Sequence, residues 1–152
     1  RRIWFLDGTE EYGKVVWQGM QKIFSKKGCC LEEEQYLEIP KDRDLRRMFY
    51  KIRLAGLALS ADMLVFASAV QGAEAVGYLH DLEIKGPEIE VMAVGKEETA
   101  LICRPQLTTV EFDKKRFVRQ AIEELYVQMI KGYILTKFGK ISVKTIIRGS
   151  CN

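Results

Sequence analysis

Short apolar runs alternate along this chain with stretches whose apolar residues recur every three or four positions. Residues 3–6 (IWFL), 63–67 (MLVFA) and Glu90–Val94 (EVMAV) are the clearest runs, and residues 29–39 form a weaker one. A strand that is apolar on both faces must be covered on both faces, which is the condition of a parallel sheet sandwiched between helices. Strand and helix patterns in strict alternation imply right-handed β-α-β crossovers. The expected fold is therefore α/β: a mostly parallel, doubly wound sheet with helices on both faces. At 152 residues, 47% of them hydrophobic, the chain is long enough for one domain with a real core.

The first helix is carried by Tyr12, Val15, Val16, Gly19, Met20, Ile23 and Phe24, with Lys26, Lys27 and Gly28 at its end. Pro40 ends the second strand, and Asp42 or Asp44 caps a helix whose apolar face is read as Leu45, Met48, Phe49, Ile52 and Leu57. Arg43, Arg46, Arg47, Lys51 and Arg53 fall opposite that stripe, as a solvated face. Ala69 to Leu82 is a third helix, rich in Ala and Gly. Residues 107–110 read as a short extended crossover. Phe117, Ala121, Ile122, Leu125, Met129 and Ile130 mark a long helix that Gly132 closes, and residues 141–147 alternate as a final strand.

In such sheets the ligand crevice lies beyond the carboxyl ends of the strands. That places a candidate site at residues 7–12, 39–42, 68–71 and 95–98, and Glu10, Tyr12, Ser68 and Glu97 are the side chains chosen from them. No G-x-G-x-x-G or Walker pattern opens a helix, so no phosphate loop is read. A phosphoacceptor domain would use Asp7 but would need an acceptor where Ala67, Ser68 and Ala69 stand. His80 is the single histidine and falls within a helix, so no nucleophile has a base. Glu97 and Glu98 are adjacent carboxylates on a loop, the usual state of which is solvation. A binding module is expected, not an enzyme, and no cofactor or metal.

The net charge is +3, unevenly spread: residues 113–152 hold nine basic and three acidic residues, against fifteen and eighteen in the rest. Without interleaved aromatics this reads as a solvated face, not a nucleic-acid surface. Cys29, Cys30, Cys103 and Cys151 have no C-x-x-C spacing and suit free thiols in a reducing compartment. No apolar run nears the roughly 18 residues of a membrane span, and the expectation is a cytoplasmic protein with no membrane partner.

Pro105-Gln-Leu-Thr-Thr-Val110 before an acidic helix start, and Thr145-Ile-Ile-Arg-Gly-Ser-Cys151 at the end, resemble the carboxy-terminal part of the lactose-repressor/galactose-repressor family of bacterial transcription regulators. Residues 60–67 (SADMLVFA) resemble its P-D-A-[IV] strand, and Pro87 with Glu90 to Gly95 resemble its P-x-D-[IV]-S-[VL]-[VI]-G. The family's R-x-x-G-[FY] has Val16 in place of its arginine. Its Asn-Asp pair is replaced by Ser68 and Ala69, and its aromatic-Asp-Asp by Lys96, Glu97 and Glu98, where Glu97 can keep the carboxylate role.

The resemblance implies the second subdomain of an effector-binding module, residues 1–152, of periplasmic-binding-protein-like fold. Its crossover would lie near 105–112, and its last strand at 141–148. A helix at 113–132 would pack on a first subdomain outside this chain; without that subdomain it would either repack on this domain or leave an apolar patch exposed. It also implies a homodimer through Ala73, Val76, Gly77 and His80 with Leu101, Ile102 and Cys103. A small effector of sugar or nucleobase class would shift a subdomain hinge, and operator DNA would be met only through a domain outside the chain. A periplasmic sugar-binding protein and a doubly wound enzyme of unknown reaction are the alternatives.

Overall fold

A computed structural model of the chain describes residues 2–8, 11–82, 89–95, 97–132 and 142–151. Among them six strands form one sheet in the order β2-β1-β3-β4-β5-β6: β1 Ile3–Asp7, β2 Tyr36–Glu38, β3 Met63–Phe66, β4 Glu90–Val94, β5 Thr108–Phe112 and β6 Val143–Ile146. The first five run parallel and β6 pairs antiparallel with β5. Helices α1 (Glu11–Lys26), α2 (Arg43–Phe49), α3 (Ala55–Ala58), α4 (Ala69–Asp81), α5 (Glu97–Ile102) and α6 (Lys114–Lys131) join them.

Side chains alternate across the strands, and the two faces build two cores. Leu6, Leu64, Phe66, Val91 and Ala93 meet Tyr50, Leu54, Leu57, Ala75, Val76 and Leu79 on one face. Phe5, Val65 and Ala67 meet Trp17 of α1 on the other. The expected mostly parallel sheet with helices on both faces is what the chain adopts.

Four expectations change. Residues 29–39 yield only the three-residue β2, because Glu32 and Gln35 cap a 3-10 turn at Glu33–Gln35, and Gln35 also donates to the Ile3 carbonyl at 2.6 Å. Residues 107–110 are not a bare crossover: Thr108–Phe112 is a full fifth strand, with Met92, Ala93 and Val94 facing Thr108, Thr109 and Val110. The short α5 before it was not expected.

The fourth concerns α2. Leu57 is buried and Phe49 packs on the core as expected, but Leu45, Met48 and Ile52 lie on the exposed side, and the chain buries Tyr50, Leu54 and Ala58 in their place. A wide π turn at Tyr50–Leu54 joins α2 to α3 and carries that second apolar stripe onto the sheet. Arg46 is drawn inward with it. Its Nε and Nη2 donate to the two carboxylate oxygens of Glu74 on α4 at 3.0 and 3.3 Å, so it is not part of a solvated face.

Asp113 caps α6 by accepting from the Arg116 amide at 3.0 Å, and Gly132 ends it with a left-handed φ of 66°. The helix buries none of its residues: Phe117, Val118, Ile122, Leu125, Tyr126, Met129 and Ile130 are all exposed. Of the two outcomes open to it, an apolar patch is the one realised.

Candidate functional site

β1 reaches its carboxyl end at Asp7, and α1 begins at Glu11. The Asp7 side chain is 2% exposed, and its Oδ2 accepts from the Tyr36 hydroxyl of β2 at 2.7 Å. The carboxylate lies against the first turn of α1, so closely that a Cβ on Gly13 would overlap it. Glycine is required there by contact, not by its dihedral angles. Burial, reinforced by the hydrogen bond to Asp7, pushes the Tyr36 phenol far above its ordinary value, so Tyr36 is a fixed neutral donor.

Around this carboxylate opens a cleft of about 660 Å³ lined by Asp7, Gly8, Lys14, Glu38, Ile39, Pro40 and Lys41. Lys14 Nζ stands 3.7 Å from the Glu38 carboxylate across it. Gln71, one turn into α4, sends its amide over Gly8, where a Cβ would strike Nε2; its Oε1 is buried without a partner. A second cleft of about 820 Å³ lies beyond β4, β5 and β6, lined by Gly95, Glu98, Glu111, Phe112, Asp113, Lys114, Lys115 and residues 142–144. Both open at the same edge of the sheet, where the crevice of this architecture is expected.

Beneath the second cleft β5 and the end of the chain are knitted together. Arg148 Nη1 donates to the Leu107 carbonyl at 3.0 Å and to Thr109 Oγ1 at 2.7 Å, while Nη2 lies 3.6 Å from Glu111. Thr109 donates to the same Glu111 carboxylate at 2.7 Å. The Arg148 amide donates to Thr108 Oγ1 at 2.9 Å. The Thr-Thr stretch and the Arg-Gly-Ser ending, forty residues apart in sequence, are therefore one hydrogen-bonded unit.

The four chosen side chains fare unevenly. Tyr12 is half exposed on α1, and Ser68 is half buried where α4 begins; neither is among the described residues lining the two clefts. Glu97 opens α5, with its neighbour Glu98 on the second cleft. Glu10 lies outside the described residues. Asp7, Lys14, Glu38 and Lys41 carry the first cleft instead, with Gln71 beside it over Gly8. The strand-end rule held the signal for Asp7 and Gln71, since both lie inside the spans it marks. Lys14 comes from the interior of α1, where no pattern singles it out, and Glu38 ends β2 one residue before the marked span 39–42.

Of the residues proposed for a two-fold contact, Val76 is 3% exposed and belongs to the core beneath α4, so it cannot face a partner. Gly77 and His80 are exposed on the outer face of α4, Ile102 is exposed at the end of α5, and Ala73 and Cys103 are half buried. Exposed Leu45 and Met48 lie on the neighbouring α2, which the Arg46–Glu74 pair ties to α4, and exposed Ile52 lies on the π turn that follows it.

Among the described residues no helix is long and apolar enough to cross a membrane, and no group of His, Cys, Asp or Glu is arranged to hold a metal ion.

The family model for a periplasmic binding protein-like domain matches residues 1–151. No curated protein matches the chain by sequence. Among solved structures it is similar to the transcriptional regulator CelR in its cellobiose complex, with a TM-score of 0.80 and 18% identity over 99% of this chain and 46% of that one. It is also similar to the Escherichia coli transcriptional repressor AscG (TM-score 0.77, 19% identity, 98% of this chain and 55% of that one). The regulator CcpA of Lactococcus lactis gives a TM-score of 0.79 and 16% identity, covering 99% of this chain and 56% of that one. The chain thus spans about half the length of these relatives.

Proposed function

Because the chain belongs to the periplasmic binding protein-like domain family, we propose that it is the effector-sensing and dimerising half of a regulator of the lactose-repressor type. The observation that carries this reading is the pair of clefts at the carboxyl edge of the sheet, the second of which opens where β5 and β6 leave and re-enter the domain. A ligand seated there touches both the rigid sheet and the residues on which a further subdomain would turn, so closure around it changes the angle between the two. The knitted base of β5 and residues 148–150 keeps that change from dissipating into the sheet.

The outward face of α4, with Gly77 and His80, together with Ile102, supplies a two-fold contact. A regulator in this family acts as a dimer on operator DNA through a head that this domain does not contain. The similar structures are those of transcriptional regulators, one in a cellobiose complex, which supports a sugar-like effector and a non-enzymatic role.

The test is a thermal-shift screen of the full-length protein against mono- and disaccharides, nucleobases and amino acids, followed by operator binding with each hit. A ligand at 100 times its Kd raises stability by about 2.7 kcal/mol. The expected hit changes the affinity for DNA. A panel that leaves the melting curve unmoved removes the small-effector reading, and substrate turnover abolished by Glu97→Gln would replace it with an enzyme.

A further inference from the structure

The amino-terminal turn of a helix at the carboxyl edge of a parallel sheet attracts negative charge, because its backbone N–H groups and its dipole both point outward. In this chain that position on α1 already holds an anion. The Asp7 carboxylate lies against the first turn, has displaced every possible side chain at Gly13, and is buried and held by the Tyr36 hydroxyl. Lys14 and Lys41 also line the cleft, and Lys14 Nζ lies 3.7 Å from the Glu38 carboxylate.

We propose that Asp7 is a built-in anion that closes the α1 end of the cleft to phosphate- and carboxylate-bearing ligands and restricts it to uncharged or cationic ones. Two things follow from the geometry. A second anion at the first turn would sit beside a buried like charge, which is costly. The space it would need is also filled, since the Asp7 carboxyl occupies the volume that Gly13 leaves open. A neutral hydroxyl or an amine meets neither obstacle.

The ligand class rests on the effector reading given above; the exclusion of anions does not, and it is tested with inorganic phosphate alone. In the full-length protein, the amide resonances of Gly13, Lys14 and their neighbours are followed during a phosphate titration. The wild type is expected to show no saturable shift at these residues. Asp7→Gly, which removes both charge and volume, is expected to gain saturable phosphate binding confined to the first turn of α1, at least tenfold tighter than any wild-type response. Asp7→Ser, which retains an acceptor for Tyr36, serves the same purpose should the glycine variant lose its fold.

A saturable wild-type shift at Gly13 overturns the proposal. So does a folded Asp7 variant that gains nothing. Glucose and glucose 6-phosphate then read the ligand class: tighter binding of the phosphorylated sugar by the wild type would also overturn it. Indifference to every sugar, with phosphate still refused, would remove the effector reading and leave the closed helix end standing.

Discussion

The Ser150 hydroxyl accepts the Thr108 amide at 2.7 Å and in turn donates to the Val91 carbonyl at 2.6 Å, both within the buried sheet. A residue almost at the end of the chain thereby bridges β4 and β5. Ser150→Ala strips a buried N–H of its acceptor without opening much volume. A loss of about 2 kcal/mol is expected, read as a lower denaturation midpoint with an unchanged slope. A change below about 0.5 kcal/mol would mean that water or a backbone shift replaces the bond.

Gly13→Ala places a methyl group in the Asp7 carboxylate. Overpacking of that kind costs about 1–3 kcal/mol. The same substitution on an Asp7→Ala background has room, and alanine is the better helix former by about 1 kcal/mol. The two changes should therefore be strongly non-additive in a double-mutant cycle, with a coupling of about 1 kcal/mol or more. Additive effects would show that the close approach is not rigid.

Gln71 leaves its carbonyl oxygen buried without a partner. Gln71→Met keeps the length of the side chain and removes the orphan. A gain of about 1 kcal/mol is expected, visible as a higher melting temperature. A loss instead would assign the amide a structural bond.

Tyr36 and Tyr50 are both held neutral beyond the range of a free phenol, chiefly by burial and then by the carboxylates Asp7 and Glu74. Because the folded state binds these protons more tightly than the unfolded state, their contribution is intact below the unfolded value of about 10 and falls as pH rises beyond it. Urea denaturation between neutral pH and strongly alkaline pH should show stability declining above that point. Tyr36→Phe and Tyr50→Phe should each flatten the decline, and a slope unaltered in both would assign it to other groups.

The apolar face of α6 predicts self-association of this domain when produced alone, since patches of a few hundred Å² favour it. Sedimentation velocity should show concentration-dependent dimers or larger species. Ile122→Lys combined with Met129→Lys, both at exposed positions, should reduce them with little change in melting temperature.

How much of this was legible in the sequence depended on what each pattern encodes. Fully apolar runs such as 63–67 report burial on both faces, and they located the parallel strands. Small and β-branched residues in Leu107 to Val110 looked extended, but nothing local says whether an extended segment is paired, so β5 passed for a crossover. The α2 region carries two apolar stripes, and period alone cannot choose between Leu45-Met48-Ile52 and Tyr50-Leu54-Ala58; the Arg46–Glu74 pair, a contact 28 residues apart, decides it. The site was legible as a set of strand ends. The inward turn of Asp7 was not, because it depends on an absent side chain at Gly13 and a hydroxyl from β2.

Phe112 and Val143 face each other as an antiparallel pair, so β5 ends and β6 begins side by side at one edge of the sheet. Neither core draws a residue from α6. In topological terms α6 is a detour on an otherwise complete circuit. A two-residue hairpin turn spans the same gap, and a chain so shortened would keep its six-stranded sheet while losing the exposed apolar face of α6.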